Sequence, residues 1–189
     1  MSQKSSKKPF SWKTISKEYV YTDERMKVRR DKVEKSDGFS GTYTLIEKDD
    51  FVLVIPKIGD KFYLVEQDRY PIMSRSLEFV EGGIETDIGE TPEQAADREL
   101  LEEVGISDAK MTLLGHHWLA NGHHTQGCYV FLAEGGEISN YQREQSESDM
   151  ETLTLTEAEI KEKIIDGTIE DTSTVAAFML YQLKQKKSR

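Results

Sequence analysis

The chain has little cysteine, no long apolar run and no excess of positive charge, and each absence removes a class of protein. A single cysteine, Cys128, excludes an internal disulfide, so the composition does not point to secretion. No stretch of about 18 apolar residues occurs, and the first residues lack the apolar core of a secretory signal. A membrane association is therefore not expected, and a cytoplasmic location is. The 35 acidic residues outnumber the 25 Lys and Arg, for a net charge of −10, and the acids are spread through the body of the chain. That balance excludes a globally basic nucleic-acid surface. Lys4, Lys7 and Lys8 at the start, with the basic run Lys184 to Arg189, read as solvated termini. Internal repeats are absent as well.

What is present is an ordinary globular composition, 37% hydrophobic and 32% charged, over 189 residues. That length supports one sizeable core with an appendage. Residues 1–11 read as a disordered start, 12–47 as a small antiparallel sheet, and 48–189 as the main domain. In the first sheet, Tyr19-Val20-Tyr21, Met26–Val33 and Thr42–Ile46 read as strands, with turn chemistry at Ser36-Asp37-Gly38 and Ser40-Gly41. In the main domain Phe51–Pro56 is a near-continuous apolar run, as expected of a strand buried on both faces. Gly59-Asp60 turns it into Phe62–Gln67. Further strands are expected at Ser76–Val80, Met111–Leu114, Gly127–Leu132 and Met150–Leu155, with a polar loop over Ser139–Asp149. Thr91–Val104 has the strongest helix signals: Thr91 as N-cap, Pro92 at the first position, Gln94 completing a capping box and Gly105 as the stop. Two helices close the chain, Thr156–Ile164 and Asp171–Leu183, the latter with Val175, Phe178, Met179 and Leu183 assigned to its core side. The order describes an α+β arrangement with a mixed sheet.

The chemistry is concentrated on the Thr91–Val104 helix. Glu99, Glu102 and Glu103 stand at i, i+3 and i+4, which puts three carboxylates on one face. Like charges at that spacing repel by a few tenths of a kcal/mol per pair, and a cation removes the cost. Mg²⁺ takes oxygen ligands from a few carboxylates, waters and substrate phosphates, so the geometry suits it, with Mn²⁺ as a substitute. Taken alone, three acids on a helix also describe a solvated face.

The surrounding residues decide between these. Arg98-Glu99-Leu100-Leu101-Glu102-Glu103-Val104-Gly105-Ile106, preceded by Glu90 and Gly82, resembles the signature box of the Nudix hydrolases. The interval of seven residues between Glu90 and Arg98 matches; the seven residues between Gly82 and Glu90 make a longer loop than the family's, with the insertion at Thr86-Asp87-Ile88. The resemblance implies a Nudix fold, a mixed sheet sandwiched between helices, with an N-terminal antiparallel sheet. It implies Glu99 and Glu103 as main metal ligands, assisted by Glu102 and by the backbone carbonyl of Glu81. Glu90 and Arg98 would fix the loop on the helix. The residues independently support a structural Arg98, since it can reach Glu102 one turn on.

The resemblance extends to the branch that hydrolyses ADP-ribose and nucleoside diphosphate sugars. Val65-Glu66-Gln67-Asp68-Arg69-Tyr70-Pro71, Leu77–Glu85, the N-terminal strands and Gly167–Leu183 are all similar to segments of that branch. In it the N-terminal sheet is shared across a homodimer, and the reaction yields a nucleoside monophosphate and a sugar phosphate. Arg69 then becomes a candidate diphosphate contact, and Glu78 a polar contact near the substrate. The general base is implied to lie in the loop after the box, where Glu144, Glu147 and Asp149 stand and Glu147 is favoured. Tyr21, with Tyr19 and Trp12, offers an aromatic surface for a base, with packing as the alternative role. The four histidines between His116 and His124 lack a convincing metal-ligand pattern. Ala120–Gln126 reads instead as a loop over the active site. It lacks the Pro-Gly segment usual in ADP-ribose hydrolases, which favours a nucleoside diphosphate sugar. Other nucleotides (dinucleoside polyphosphates, nucleoside triphosphates, NADH) stay open, as does a non-catalytic binding module of the same fold.

Overall fold

The structure, a computed structural model, describes residues 10–143 and 145–187. The chain divides into two compact units, an N-terminal one that includes residues 120–125, and a second formed by residues 49–119 and 126–189.

The N-terminal unit is a three-stranded antiparallel meander of β1 (Trp12–Thr22), β2 (Lys27–Lys35) and β3 (Ser40–Glu47). Alternation in β2 buries Arg29, Asp31 and Val33 on one face. The buried charges are matched: Arg29 Nε lies 2.8 Å from Asp31, and Nη1 pairs with Glu47. Residues 120–125 add to this unit through backbone bonds, Ile46 N–H to His123 O at 2.9 Å and Thr125 N–H to Ile46 O at 3.0 Å. Trp12 packs edge-on against Phe39 and Tyr43, with the Lys35 ammonium over its ring. The outer strand β1 is exposed along nearly its whole length.

The second unit is built on a seven-stranded mixed sheet. Its elements are β4 (Phe51–Ile58), β5 (Lys61–Arg69), β6 (Ser74–Glu78), β7 (Val80–Gly83), α1 (Pro92–Val104), β8 (Ile106–Ser107), β9 (Lys110–Trp118), β10 (Gly127–Glu134), β11 (Glu137–Ile138), β12 (Glu151–Thr156), α2 (Glu157–Ile165) and α3 (Thr172–Lys187). The sheet runs β12-β5-β4-β10-β9, with β4 and β10 parallel and its other pairs antiparallel. β8 and β11 form a separate two-stranded pair. β4 and β5 pair only beside their turn, at Lys57↔Phe62 and Ile58↔Lys61. Beyond that point they splay, and residues 74–83 fill the gap as a wedge: β6 pairs with β5, and β7 pairs with β4. Ser76–Val80, expected as one strand, is thus two, broken at the fully buried Phe79 where the chain changes partner.

Alternate residues of β4 point to opposite layers. Val52 and Val54 meet Ala95, Ala96, Leu100 and Val104 of α1, whereas Leu53 and Ile55 join Phe62, Phe79, Ile160, Ala177, Phe178 and Tyr181. The apolar run of β4 is therefore buried on both faces, as its composition implies. One expectation is corrected. On α3 the buried positions are Thr174, Ala177, Phe178 and Tyr181, while Met179 and Leu183 are more than half exposed. The true stripe is spaced i, i+3, i+4, i+7, but its first two members are a hydroxyl and a methyl, so hydrophobicity alone finds Phe178 and Val175 and also draws in the exposed Met179 and Leu183. Among the described residues no helix is long and apolar enough to cross a membrane.

Candidate active site

α1 starts and stops as its sequence dictates. The Thr91 hydroxyl accepts from Gln94 N–H, and the Gln94 side chain accepts from Thr91 N–H at 2.9 Å. Gly105, at φ +70°, ends the helix in the left-handed conformation. Between these stops, Ala95, Ala96, Leu100 and Val104 face the sheet, and the same face carries Glu99 and Glu103, both buried.

Arg98 ties this helix to the preceding loop with its whole guanidinium. Nε and Nη2 donate to the two oxygens of Glu90 at 2.9 and 3.1 Å, Nη2 also to Gly83 O at 2.8 Å, and Nη1 to Glu99 and Glu102 at 2.7 and 3.0 Å. Hydrogen bonds from Arg98, with one from Glu85 N–H, hold the Glu90 carboxyl below its usual range. The extra residues of the loop form a single 3₁₀ turn, Thr86–Ile88, ended by Gly89 at φ +79°. Its base is closed twice, by Glu85 N–H to Glu90 Oε2 at 2.8 Å and Glu90 N–H to Glu85 O at 3.2 Å. The insertion therefore bulges outward and leaves the Glu90–Arg98 pair in place.

β7 approaches α1 so closely that the Glu99 side chain fills the space where a Gly82 side chain would begin. A methyl group there would stand 1.8 Å from the Glu99 carboxyl carbon. The result is a crowded acidic site. Burial pushes the Glu99 carboxyl up to about 7, against the pull of Arg98, and the charges of Glu102 and Glu147 add to the rise. Burial also raises Glu103 well above the carboxylate range, reinforced by Glu99 and Glu147. The Glu81 side chain is raised likewise, by burial first and then by Asp171 and Glu78.

Arg69, at the end of β5, faces the same region. Its Nε donates to both oxygens of Glu78 at 3.1 Å, Nη2 pairs with Glu78 as well, and Nη2 lies 3.9 Å from Glu81. The hydrogen bonds it donates to Glu78 raise the guanidinium pKa, and the charges of Glu81 and Glu103 also reach it. The two residues expected as separate substrate contacts are thus partners, with Arg69 still 38% exposed.

Of the loop acids, Glu147 ends a 3₁₀ turn, Gln145–Glu147, and its charge is felt at Glu99 and Glu103. Asp149 is engaged elsewhere: it accepts from Asp68 N–H at 2.8 Å and from Arg75 at 3.4 Å, and the first of these holds its carboxyl low. Glu144 lies outside the described residues. Tyr21 belongs to the N-terminal unit, where it is half exposed and donates to Asp23 at 2.9 Å. The histidine cluster is divided: His116 and His117 are in β9, His123 and His124 in the N-terminal unit. His116 lies 3.1 Å from Asp50 and packs edge-on against Trp118 and Tyr129.

Among the described residues no trio of His, Cys, Asp or Glu side chains converges as a ready metal-ligand set, and Glu99 and Glu102 both turn an oxygen to Arg98. Yet Glu103 Oε2 and Glu81 Oε1 are buried without a hydrogen-bond partner. Buried carboxylate oxygens left so are costly, and a hard divalent cation satisfies them, so this donor set fits one. Sequence reading missed three contributors: the Glu81 side chain, Asp171, and Thr174. The Thr174 hydroxyl, fully buried, accepts from Phe79 N–H at 3.0 Å and so satisfies the backbone where the wedge changes partner, between Glu78 and Glu81. Asp171 accepts from Thr174 N–H at 2.6 Å at the start of α3, a capping pattern visible in the sequence.

A mixed sheet between helices, with a glutamate-bearing helix tied to a glycine loop through one arginine, defines a Nudix-type fold. Comparison with known proteins agrees. Residues 49–172 match the NUDIX domain model, and residues 12–46 match the nucleoside diphosphate sugar hydrolase N-terminal domain. The chain belongs to the Nudix family, which generally uses a divalent metal. It is 27% identical over 175 residues to an ADP-ribose pyrophosphatase of Bacillus subtilis (strain 168), covering 92% of this chain and 94% of that protein. It is 28% identical over 180 residues to a methanol dehydrogenase activator of Bacillus methanolicus, covering 94% and 96%. The crystal structure of an ADP compounds hydrolase superposes with a TM-score of 0.84 at 21% identity, over 97% of this chain and 98% of that one.

Proposed function

We propose that this Nudix protein hydrolyses the diphosphate bond of a nucleoside diphosphate sugar or of ADP-ribose, using Mg²⁺ (or Mn²⁺), to give a nucleoside monophosphate and a sugar phosphate. The observation that carries the reading is the burial of Glu99 and Glu103 on one face of α1, where the Glu103 and Glu81 carboxylates each leave a buried oxygen without a hydrogen-bond partner. The match of residues 12–46 to the N-terminal domain of nucleoside diphosphate sugar hydrolases supports the substrate class. So does the full-length likeness to an ADP-ribose pyrophosphatase.

Glu99, Glu103 and the Glu81 carbonyl would hold the ion, with Glu102 assisting. When bound there, a divalent cation would offset the charge of the diphosphate and would make a water more acidic. Arg69 faces the diphosphate while Glu78 holds its guanidinium in plane. Glu147 takes a proton from the attacking water, whose oxygen joins one phosphorus as the bridging oxygen leaves with the other. Glu90 and Arg98 keep the glycine loop against α1 throughout. Tyr21 supplies an aromatic surface for the base. The chain works as a homodimer in the cytoplasm. The exposed β1, bearing Ile15, Tyr19, Val20 and Tyr21, supports sharing of the N-terminal sheet between subunits.

A panel of nucleoside diphosphate sugars, ADP-ribose, dinucleoside polyphosphates, nucleoside triphosphates and NADH, with Mg²⁺, tests this. A nucleotide sugar or ADP-ribose should give the highest kcat/KM. Cleavage of none, or preference for a triphosphate, overturns the reading.

A further inference from the structure

The loop between β11 and β12 carries Glu147, yet it has little secondary structure of its own. What fixes it is its attachment to the end of α1. Ser139 N–H donates to Gly105 O at 2.7 Å, and Gln142 N–H donates to Glu102 O at 2.9 Å. Arg143 completes the attachment. Its Nε donates to Glu103 O at 2.9 Å, Nη1 to Met150 O, and Nη2 to Thr152 Oγ1 at 2.6 Å. The guanidinium carbon also lies 3.9 Å from the Tyr141 ring centroid, a cation–π contact.

These bonds join both ends of the Glu147 segment to one point. Met150 N–H in turn donates to Glu147 O at 3.0 Å, so the carbonyl that Arg143 holds belongs to the residue that closes the turn after Glu147. The helix gains as well. α1 has no basic residue in its last turn, where carbonyls without a helical partner and two glutamates gather negative charge. A cation at a helix C-terminus is favourable there, and Arg143 delivers one from a distant part of the chain. Each of these acceptors is met by a different nitrogen of the planar guanidinium, a spread that an ammonium, with its three donors on one nitrogen, matches only in part.

We propose that Arg143 is a positioning residue, which locks the loop onto the C-terminal end of α1 and so sets the distance of Glu147 from Glu99 and Glu103. The inference rests on the reading of Glu147 as the base. The guanidinium nitrogens of Arg143 are engaged by Glu103 O, Met150 O and Thr152 Oγ1, so it acts through Glu147.

A double-mutant cycle on the best substrate of the panel tests it. Arg143→Ala should lower kcat by about tenfold with KM within about twofold, since a displaced base slows proton transfer more than binding. Arg143→Lys should recover part of the loss, and Thr152→Val should give a smaller loss of the same kind. In the Glu147→Gln background, Arg143→Ala should cost nothing further. Amide exchange on the intact protein should show faster exchange at Gln142 and Met150 in Arg143→Ala, with the interior of α1 unchanged. Equal losses in both backgrounds, or unaltered exchange at those amides, overturns the proposal. A Glu147→Gln variant that turns over at the full rate sinks the base assignment itself, a different result from additivity. Should Arg143→Ala fail to fold, Arg143→Lys and Thr152→Val carry the same cycle.

Discussion

Two segments of the protein present carboxylates to the same place, and they are held by opposite means. α1 is self-sufficient: a capping box starts it, a left-handed glycine ends it, and the spacing of Glu99, Glu102 and Glu103 follows from helix geometry. The 139–150 loop is held from outside, by carbonyls of α1 and by β12. Local order of the first kind is written in adjacent residues. Order of the second kind depends on partners some 40 positions away, such as Glu103 for Arg143.

The largest effect should come from the helix. Glu103→Gln keeps the shape and removes the carboxylate that holds the cation in the proposed reading, so kcat should fall by about 10²–10³. Steady-state kinetics with a Mg²⁺ titration checks this, and a variant within a few-fold of the wild type would break the contrast between rigid and borrowed carboxylates.

Next comes the fit between helix and glycine loop. Gly82→Ala puts a methyl group 1.8 Å from the Glu99 carboxyl carbon, whereas a methyl at Gly83 meets nothing within 4 Å. Gly82→Ala should cost about 1–3 kcal/mol in urea unfolding, and Gly83→Ala about 0.5 kcal/mol or less. Equal midpoints for the two would show that the close approach is not needed.

The acids of α1 should also leave a mark on stability without metal. The folded protein holds Glu99 at about 7, above its ordinary 4.5, so it keeps a proton that the unfolded chain releases. Stability therefore falls as pH rises from about 4.5 to about 7. Thermal midpoints in chelator should drop across that window, less so in Glu99→Gln, and Mg²⁺ should narrow the drop. Identical pH profiles for the two proteins would contradict the assignment.

The smallest effect is expected at Asp149. Its carboxylate is occupied by Asp68 N–H and Arg75, so Asp149→Asn should change kcat by no more than about twofold, against about 10² for Glu147→Gln. A large loss at Asp149 would reverse the roles of the two loop acids.

The same division explains what could be read beforehand. The boundaries of α1 and the two-sided burial of β4 were legible because each depends on residues close in sequence, whereas the Glu90–Arg98 pair was implied by the family resemblance. The Arg69–Glu78 pair was half legible: the two residues were identified singly, but their bond needs β5 and β6 side by side. Thr174, Arg143 and the Glu81 side chain were not legible, because a hydroxyl or guanidinium that satisfies a distant backbone group leaves no periodic trace. Met179 and Leu183 misled for the converse reason, being apolar and exposed.

The wedge has a kinetic consequence. A β4–β5 hairpin is free to zip along its whole length until residues 74–83 arrive, yet the native sheet stops that pairing after Lys57↔Phe62. The central strands therefore reach their final register only once the wedge and then β10 are in place, while α1 needs no such wait. Closure of contacts this far apart is slow relative to local ones. During refolding, amide protection should appear in α1 and around the Gly59 turn before it appears at Val54 and Val65; simultaneous protection would mean that the wedge enters with the turn.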